Sequence, residues 1–135
     1  MRETLYGLNE NNKHLFLVSN GHIDYVKMCM GATLGANWEI YFDFCLTNAC
    51  KPLFFRTEKP FYTVDRNNEE NKGMRINNLD SLWTVSPDKF FIEGNAMLIT
   101  EYMQKVTKKK DARIAYFGDH CLNDVRATYE FNEKL

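Results

Sequence analysis

Tyr116-Phe117-Gly118-Asp119-His120-Cys121-Leu122-Asn123-Asp124-Val125 is the stretch on which the fold turns. An apolar run from Ile114 to Phe117 stops at Gly118-Asp119, and a second acid, Asp124, follows five residues after the first. A buried strand ends in this way when it presents a carboxylate to a cation or a phosphate beyond its carboxyl end. Arg113 to Phe117 is therefore expected to be a strand, and Leu122 onward a last helix.

Upstream, the same alternation repeats. Residues 4–12 suit the end of a helix and a polar turn. His14 to Val18 is a short apolar run, read as a buried strand and broken by Ser19-Asn20-Gly21. From His22 to Leu34, Ile23, Val26, Met30 and Leu34 recur at helical spacing, and Gly35 suits the stop. Phe42 to Thr47 reads as a second strand. It ends at Asn48-Ala49-Cys50-Lys51-Pro52, because a proline biases the residue before it away from helix. Phe54 to Val64 carries aromatic and β-branched residues that suit short strands. Asp65 to Asp80 is polar, with Gly73 near its centre, and residues 65–80 read as an exposed loop or insertion. Phe90-Phe91-Ile92 leads to Gly94-Asn95, and Asn95 suits the N-cap of a helix running to Lys108. Ala96, Ile99, Met103 and Val106 share one face of that helix, and Lys108-Lys109-Lys110 places cations at its C-terminus. Strands separated by helices predict an α/β domain over 1–135, a partial Rossmann-like doubly wound parallel sheet.

Composition narrows the partners. The chain has 135 residues, 44% of them hydrophobic and 14% aromatic, which is enough for one core. A net charge of −1 offers no one-signed footprint for nucleic acid or a membrane surface. No run of about 18 apolar residues is present, so no membrane-spanning helix is expected. Met1-Arg2-Glu3-Thr4 is not followed by the apolar stretch of a signal peptide. Cys29, Cys45, Cys50 and Cys121 form no Cys-x-x-Cys pair, and three of them have apolar neighbours. They read as reduced thiols in a cytoplasmic protein rather than as a zinc site or disulfides.

The residues at the strand ends carry the chemistry. Ser19 and Asn20 follow the first strand, where a hydroxyl and turn N–H groups are natural donors to a phosphate oxygen. The same residues suit a helix N-cap. Lys51 follows the second strand, where an ammonium can neutralise a phosphoryl group or simply be solvated. Asp119 and Asp124 follow the expected third strand. Mg²⁺ takes one or two carboxylates plus waters and phosphate oxygens, so Asp119 stands where a metal ligand would. Asp124 suits a water-mediated metal contact or a clamp on Lys51, and both acids also suit capping of the last helix. Ser, Lys and Asp-x4-Asp at successive strand ends is more specific than any member alone. His22 reads as an exposed first-turn residue, while His120 suits either substrate or metal-bound water. Phe54, Phe55, Phe61 and Tyr62 suit core packing better than a base pocket.

This set resembles motifs two, three and four of the haloacid dehalogenase superfamily of phosphohydrolases. Within it, the chain resembles the cytosolic purine 5′-nucleotidase family and its 5′-nucleotidase domain-containing members. The matching text is Leu15-Phe16-Leu17-Val18-Ser19-Asn20, Tyr41-Phe42-Asp43, Ala49-Cys50-Lys51-Pro52-Leu53-Phe54-Phe55, Gly94-Asn95, and Tyr116-Phe117-Gly118-Asp119-His120 with Asp124. The resemblance implies hydrolysis of nucleoside 5′-monophosphates or other small phosphomonoesters, with Mg²⁺ and a phospho-aspartate. It implies that Ser19 and Asn20 bond the phosphoryl group and that Lys51 stabilises its charge. Asp119 would hold the metal, and Asp124 would support Lys51 or the metal shell.

One part of the pattern is absent. The family's first motif, an Asp-x-Asp pair bearing the nucleophile, occurs nowhere in this chain. The family places that motif on a central strand, between the strands that end at Ser19 and at Asp119, and its position would lie upstream of Met1. Strands deprived of that neighbour have unpaired edges, which favours self-association. The expectation is a partial domain without its own covalent step. A non-catalytic binding or regulatory module with a weak phosphate and Mg²⁺ site is the alternative. A receiver-like signalling domain fits less well, because it needs an acidic pair after the first strand.

Overall fold

The most buried strand organises the rest. A computed structural model of the chain describes residues 1–65, 68, 72–76 and 89–133. In it Phe44–Thr47 (β2) is buried at every position and is paired on both sides. Phe16–Val18 (β1) lies parallel on one side, with Leu17 opposite Cys45. Phe90–Glu93 (β5) lies parallel on the other, with Leu46 opposite Phe91. Phe61–Val64 (β3) and Lys72–Ile76 (β4) extend the sheet antiparallel, giving the order β1-β2-β5-β3-β4.

Alternation along the strands sends side chains to two cores. Phe44, Leu46, Phe61 and Phe91 pack with Ile99, Tyr102 and Met103 of the helix Ala96–Thr107 (α3). Cys45 and Phe90 point the other way, onto Ile23, Val26 and Leu34 of the helix Ile23–Leu34 (α2) and onto Trp38. Apolar strands buried on both faces by helices are the signature of a doubly wound α/β sheet. The helix Arg2–Glu10 (α1) buries no residue completely, though Leu5 packs against the second core. A π-type turn, Cys121–Arg126, leads into the last helix, Ala127–Asn132 (α4).

The predicted helix boundaries hold closely. Gly35 ends α2 at φ 90°, where a side chain would be strained. The Asn95 side chain accepts from Leu98 N–H at 2.9 Å and so caps α3. Gly94, at φ 100°, brings the chain so near Phe61 that a Cβ would lie 2.8 Å from the ring.

Two expectations are corrected. Arg113–Phe117 is not a strand: residues 112–118 have no ladder partner among the described residues, and the third parallel strand is β5. An apolar run becomes a strand only when a neighbouring edge accepts its backbone bonds, and no described residue supplies that edge. Phe117 is 91% exposed in consequence. The polar stretch 65–80 is not all loop, because Lys72–Ile76 pairs with β3. The pairing shifts register between Tyr62 and Val64, where Gly73 lies against Thr63. Other residues of that stretch lie outside the described ones.

Among the described residues no helix is long and apolar enough to cross a membrane. All four cysteines are free, but only Cys45 is fully buried, whereas Cys121 is exposed. Burial, aided by Glu39 and opposed by Lys89, pushes the Cys45 thiol up to about 12. A disulfide-exchange reagent at pH 8 is expected to modify Cys121 rapidly and Cys45 only after denaturant is added. Labelling of Cys45 in the native chain at a comparable rate would contradict the buried β2 register.

Candidate functional site

The loops leaving β1 and β2 are bonded to each other. Ser19 N–H donates to Leu46 O at 2.9 Å, and Ala49 N–H donates to Ser19 O at 3.0 Å. Asn48 N–H donates to Gly21 O at 2.9 Å. The turn then passes through Asn48 and Cys50 at φ 48° and 58°, left-handed conformations that cost about 1 kcal/mol each. Asn20 holds the residue after that turn. Lys51 N–H donates to Asn20 Oδ1 at 2.6 Å, and Asn20 Nδ2 donates to Lys51 O at 3.1 Å. Both backbone groups of Lys51 are thus tied to one side chain from the neighbouring loop.

The Lys51 side chain reaches the segment after α3. Its Nζ donates to Asp124 Oδ1 at 2.7 Å and to the Tyr116 hydroxyl at 2.9 Å. The Tyr116 O–H donates to Asp124 Oδ1 at 2.9 Å, and His120 N–H donates to Asp124 Oδ2 at 3.1 Å. Asp124 is only 3% exposed, so its charge is tolerable because each oxygen has a donor. Gly118 makes the approach feasible, since a Cβ there would lie 2.7 Å from Asp124 Oδ2.

The electrostatics favour the charged pair. Burial opposes the Asp124 carboxylate, but donors from Lys51, Tyr116 and the His120 amide outweigh it and hold the carboxyl below its ordinary value. Burial likewise opposes the Lys51 ammonium, and bonds to Asp124 and Tyr116 hold it above its ordinary value. Burial first, then the bond to Asp124, raises the Tyr116 phenol against the lowering effect of Lys51, so it stays protonated. The lowered Asp124 contributes stability that is present above the ordinary carboxylate value and is lost as pH falls through its folded value. The raised Lys51 contributes stability present below the ordinary lysine value and lost as pH rises through its folded value. The pair is therefore intact from about pH 4 to about pH 10.

The remaining sequence-derived residues are placed differently. Ser19 Oγ accepts from Gly21 N–H at 3.0 Å, which leaves its O–H free to donate elsewhere. Asp119 is exposed, and no hydrogen bond or ion pair among the described residues involves its side chain. His120 caps the last helical segment, its Nδ1 accepting from Leu122 and Asn123 N–H at 3.3 and 3.1 Å. His22 is an exposed residue at the start of α2. Phe54, Phe55 and Phe61 are core residues. Tyr116 and Gly118 have roles at this site that the sequence pattern does not assign. The only signal for Tyr116 is a hydroxyl at the end of an apolar run, which is too common to decide.

Among the described residues no group of three His, Cys, Asp or Glu side chains is arranged to hold an ion. Asp124 has both oxygens committed, and Asp119 offers one carboxylate. Of the two acids, Asp119 is the one left without a partner among the described residues.

The sequence has counterparts among known proteins. The family model for the 5′ nucleotidase family matches residues 1–132. The chain belongs to the 5′ nucleotidase family. It is 30% identical over 128 residues to a Bos taurus protein named 5′-nucleotidase domain-containing protein 1, covering 93% of this chain and 26% of that one. It is 28% identical over 128 residues to the Homo sapiens protein of the same name, covering 93% of this chain and 26% of that one. It is 29% identical over 116 residues to Homo sapiens 5′-nucleotidase domain-containing protein 2, covering 85% of this chain and 20% of that one. The chain thus spans roughly a quarter of the length of these 5′ nucleotidase family relatives. The haloacid dehalogenase superfamily, to which the motifs pointed, is consistent with that membership.

Lys51→Met removes the side-chain cation bonded to the buried Asp124 carboxylate and is expected to destabilise the chain by about 3 kcal/mol. Adding Asp124→Asn to that variant should restore part of the loss. Urea denaturation of the single and double variants checks both, and a loss under about 0.5 kcal/mol in the single would contradict the pair.

Proposed function

We propose that this chain carries the phosphoryl-binding elements of a 5′-nucleotidase-type phosphohydrolase. The reaction is release of phosphate from nucleoside 5′-monophosphates or other small phosphomonoesters. The observation that carries the reading is the junction of three segments at Lys51: Asn20 holds its backbone, and Asp124 and Tyr116 hold its ammonium. An ammonium fixed in this way, with two of its three donors used, keeps one for a phosphoryl oxygen. Ser19 supplies a hydroxyl donor from the neighbouring loop. Asn20 acts by positioning Lys51.

Membership of the family supports a divalent metal in the whole reaction, and Mg²⁺ is the cofactor proposed. Asp119 is the carboxylate this chain would offer, and Asp124 acts through Lys51. The covalent step expected of the family, through a phospho-aspartate, needs an Asp-x-Asp that these 135 residues do not contain. The chain by itself is therefore proposed to bind phosphate weakly and not to turn over. That same absence favours the second reading, a non-catalytic binding or regulatory module with a residual phosphate site. Four unpaired cysteines support a reducing, cytoplasmic setting for either.

Incubation of the chain with a purine 5′-monophosphate and Mg²⁺ is expected to release no phosphate above the protein-free blank. Inorganic phosphate should bind, and Lys51→Met should weaken it about tenfold, or Asp124→Asn where the first variant does not fold. Phosphate release would overturn the inactivity. Unchanged affinity in the folded variants would overturn the role of Lys51.

A further inference from the structure

The helix α2 has a surface that neither core explains and that is independent of the nucleotidase reading. One side of it is covered: Ile23, Val26 and Leu34 are buried in the second core, with Met30 packed beside them. The other side is apolar as well. Tyr25 is 59% exposed and Met28 is 63% exposed, and the exposed Ala32 completes a stripe at i, i+3 and i+7. Cys29 flanks the stripe and shares a hydrogen bond with Tyr25. Only Asp24 and Lys27 are charged on the whole helix. A helix that is apolar all round is one that is covered on both sides. α2 lies on the opposite face of the sheet from α3 and α4, so the stripe is separate from the Lys51 contact.

The two halves of this face are complementary to each other. The first half carries the large side chains Tyr25 and Met28. The second half carries Ala32 and Gly31, where an added Cβ would meet nothing within 4 Å. An antiparallel second copy sets the large side chains of each helix over the open half of the other. Charge matches in the same arrangement. Asp24 is exposed in the first turn of α2, and the Arg2 guanidinium lies at its far end, 3.0 Å from the position of a Gly35 Cβ. Among the described residues neither Asp24 nor Arg2 has an ion-pair partner. The step from Asp24 to Gly35 is close to three helical turns, so both lie on one flank of the stripe. A twofold axis near Cys29 therefore brings each Asp24 to the Arg2 of the other copy. We propose that the outer face of α2 is a self-association surface, on which two copies of this chain pair antiparallel through Tyr25, Met28 and Ala32. A helix of this length spans about 18 Å, so the face buries less than the roughly 800 Å² per partner of a standard interface. The dimer is accordingly weak, with a Kd on the order of 100 μM.

Sedimentation equilibrium of the full chain from about 5 μM to about 500 μM is the test. The mean mass is expected to rise from 15.9 kDa toward twice that value. Met28→Glu changes an exposed residue, so it should keep the native circular dichroism spectrum while weakening association about tenfold or more. Asp24→Lys should weaken association about tenfold, and adding Arg2→Glu should restore most of it. A chain that stays monomeric throughout would overturn the proposal. So would association that Met28→Glu leaves unchanged, which would place the contact on the β1 edge. Failure of the double exchange to restore association would overturn the antiparallel pairing.

Discussion

The buried contact between Lys51 and Asp124 is the constraint on which the arrangement of this molecule depends. Neither charge is tolerable alone at this depth, and each is held by the other. The contact joins residues 73 positions apart in sequence. It ties the loop after β2 to a segment that has no place in the sheet. Tyr116 and the His120 amide satisfy the remaining capacity of the carboxylate, and Asn20 fixes the lysine backbone. The result is a fixed cation at the carboxyl end of a parallel sheet, where anionic ligands are bound in folds of this class.

The sheet explains why that cation stands where it does. β2 is buried on both faces and paired on both edges, so the loop it feeds starts from a rigid position. Among the described residues β1 is paired on one edge only, and the 112–118 segment on none. The segment is anchored through Tyr116, whose ring meets Phe55 edge-on with centroids 5.4 Å apart and whose hydroxyl lies in the Lys51 cluster. Side-chain contacts thus position a stretch whose backbone has no ladder. Tyr116 also lines a groove beside β1.

Much of this was legible in the residues. Helical spacing of Ile23, Val26 and Leu34 placed α2, and Asn95 marked the start of α3 through its ordinary capping chemistry. Ser19 and Lys51 stood out because they follow apolar runs that read as strands, and ligands bind at the carboxyl ends of such strands. Two elements misled. Ile114 to Phe117 has strand composition, but composition does not supply a neighbouring edge. Lys72 to Ile76 has loop composition, yet its backbone finds β3, because pairing depends on the partner more than on intrinsic preference.

The amino-acid order by itself determined the α/β alternation, the family and the polar residues that follow β1 and β2. These follow from local rules: periodicity, caps, turn residues and short motifs act within a few positions along the chain. Only the tertiary structure decided how those residues divide their work. It gave Asp124 to Lys51, left Asp119 exposed, turned His120 into a cap and brought Tyr116 to the ammonium. The reason is that a buried charge selects its partner by distance in space. Sequence spacing carries no record of a contact across 73 residues.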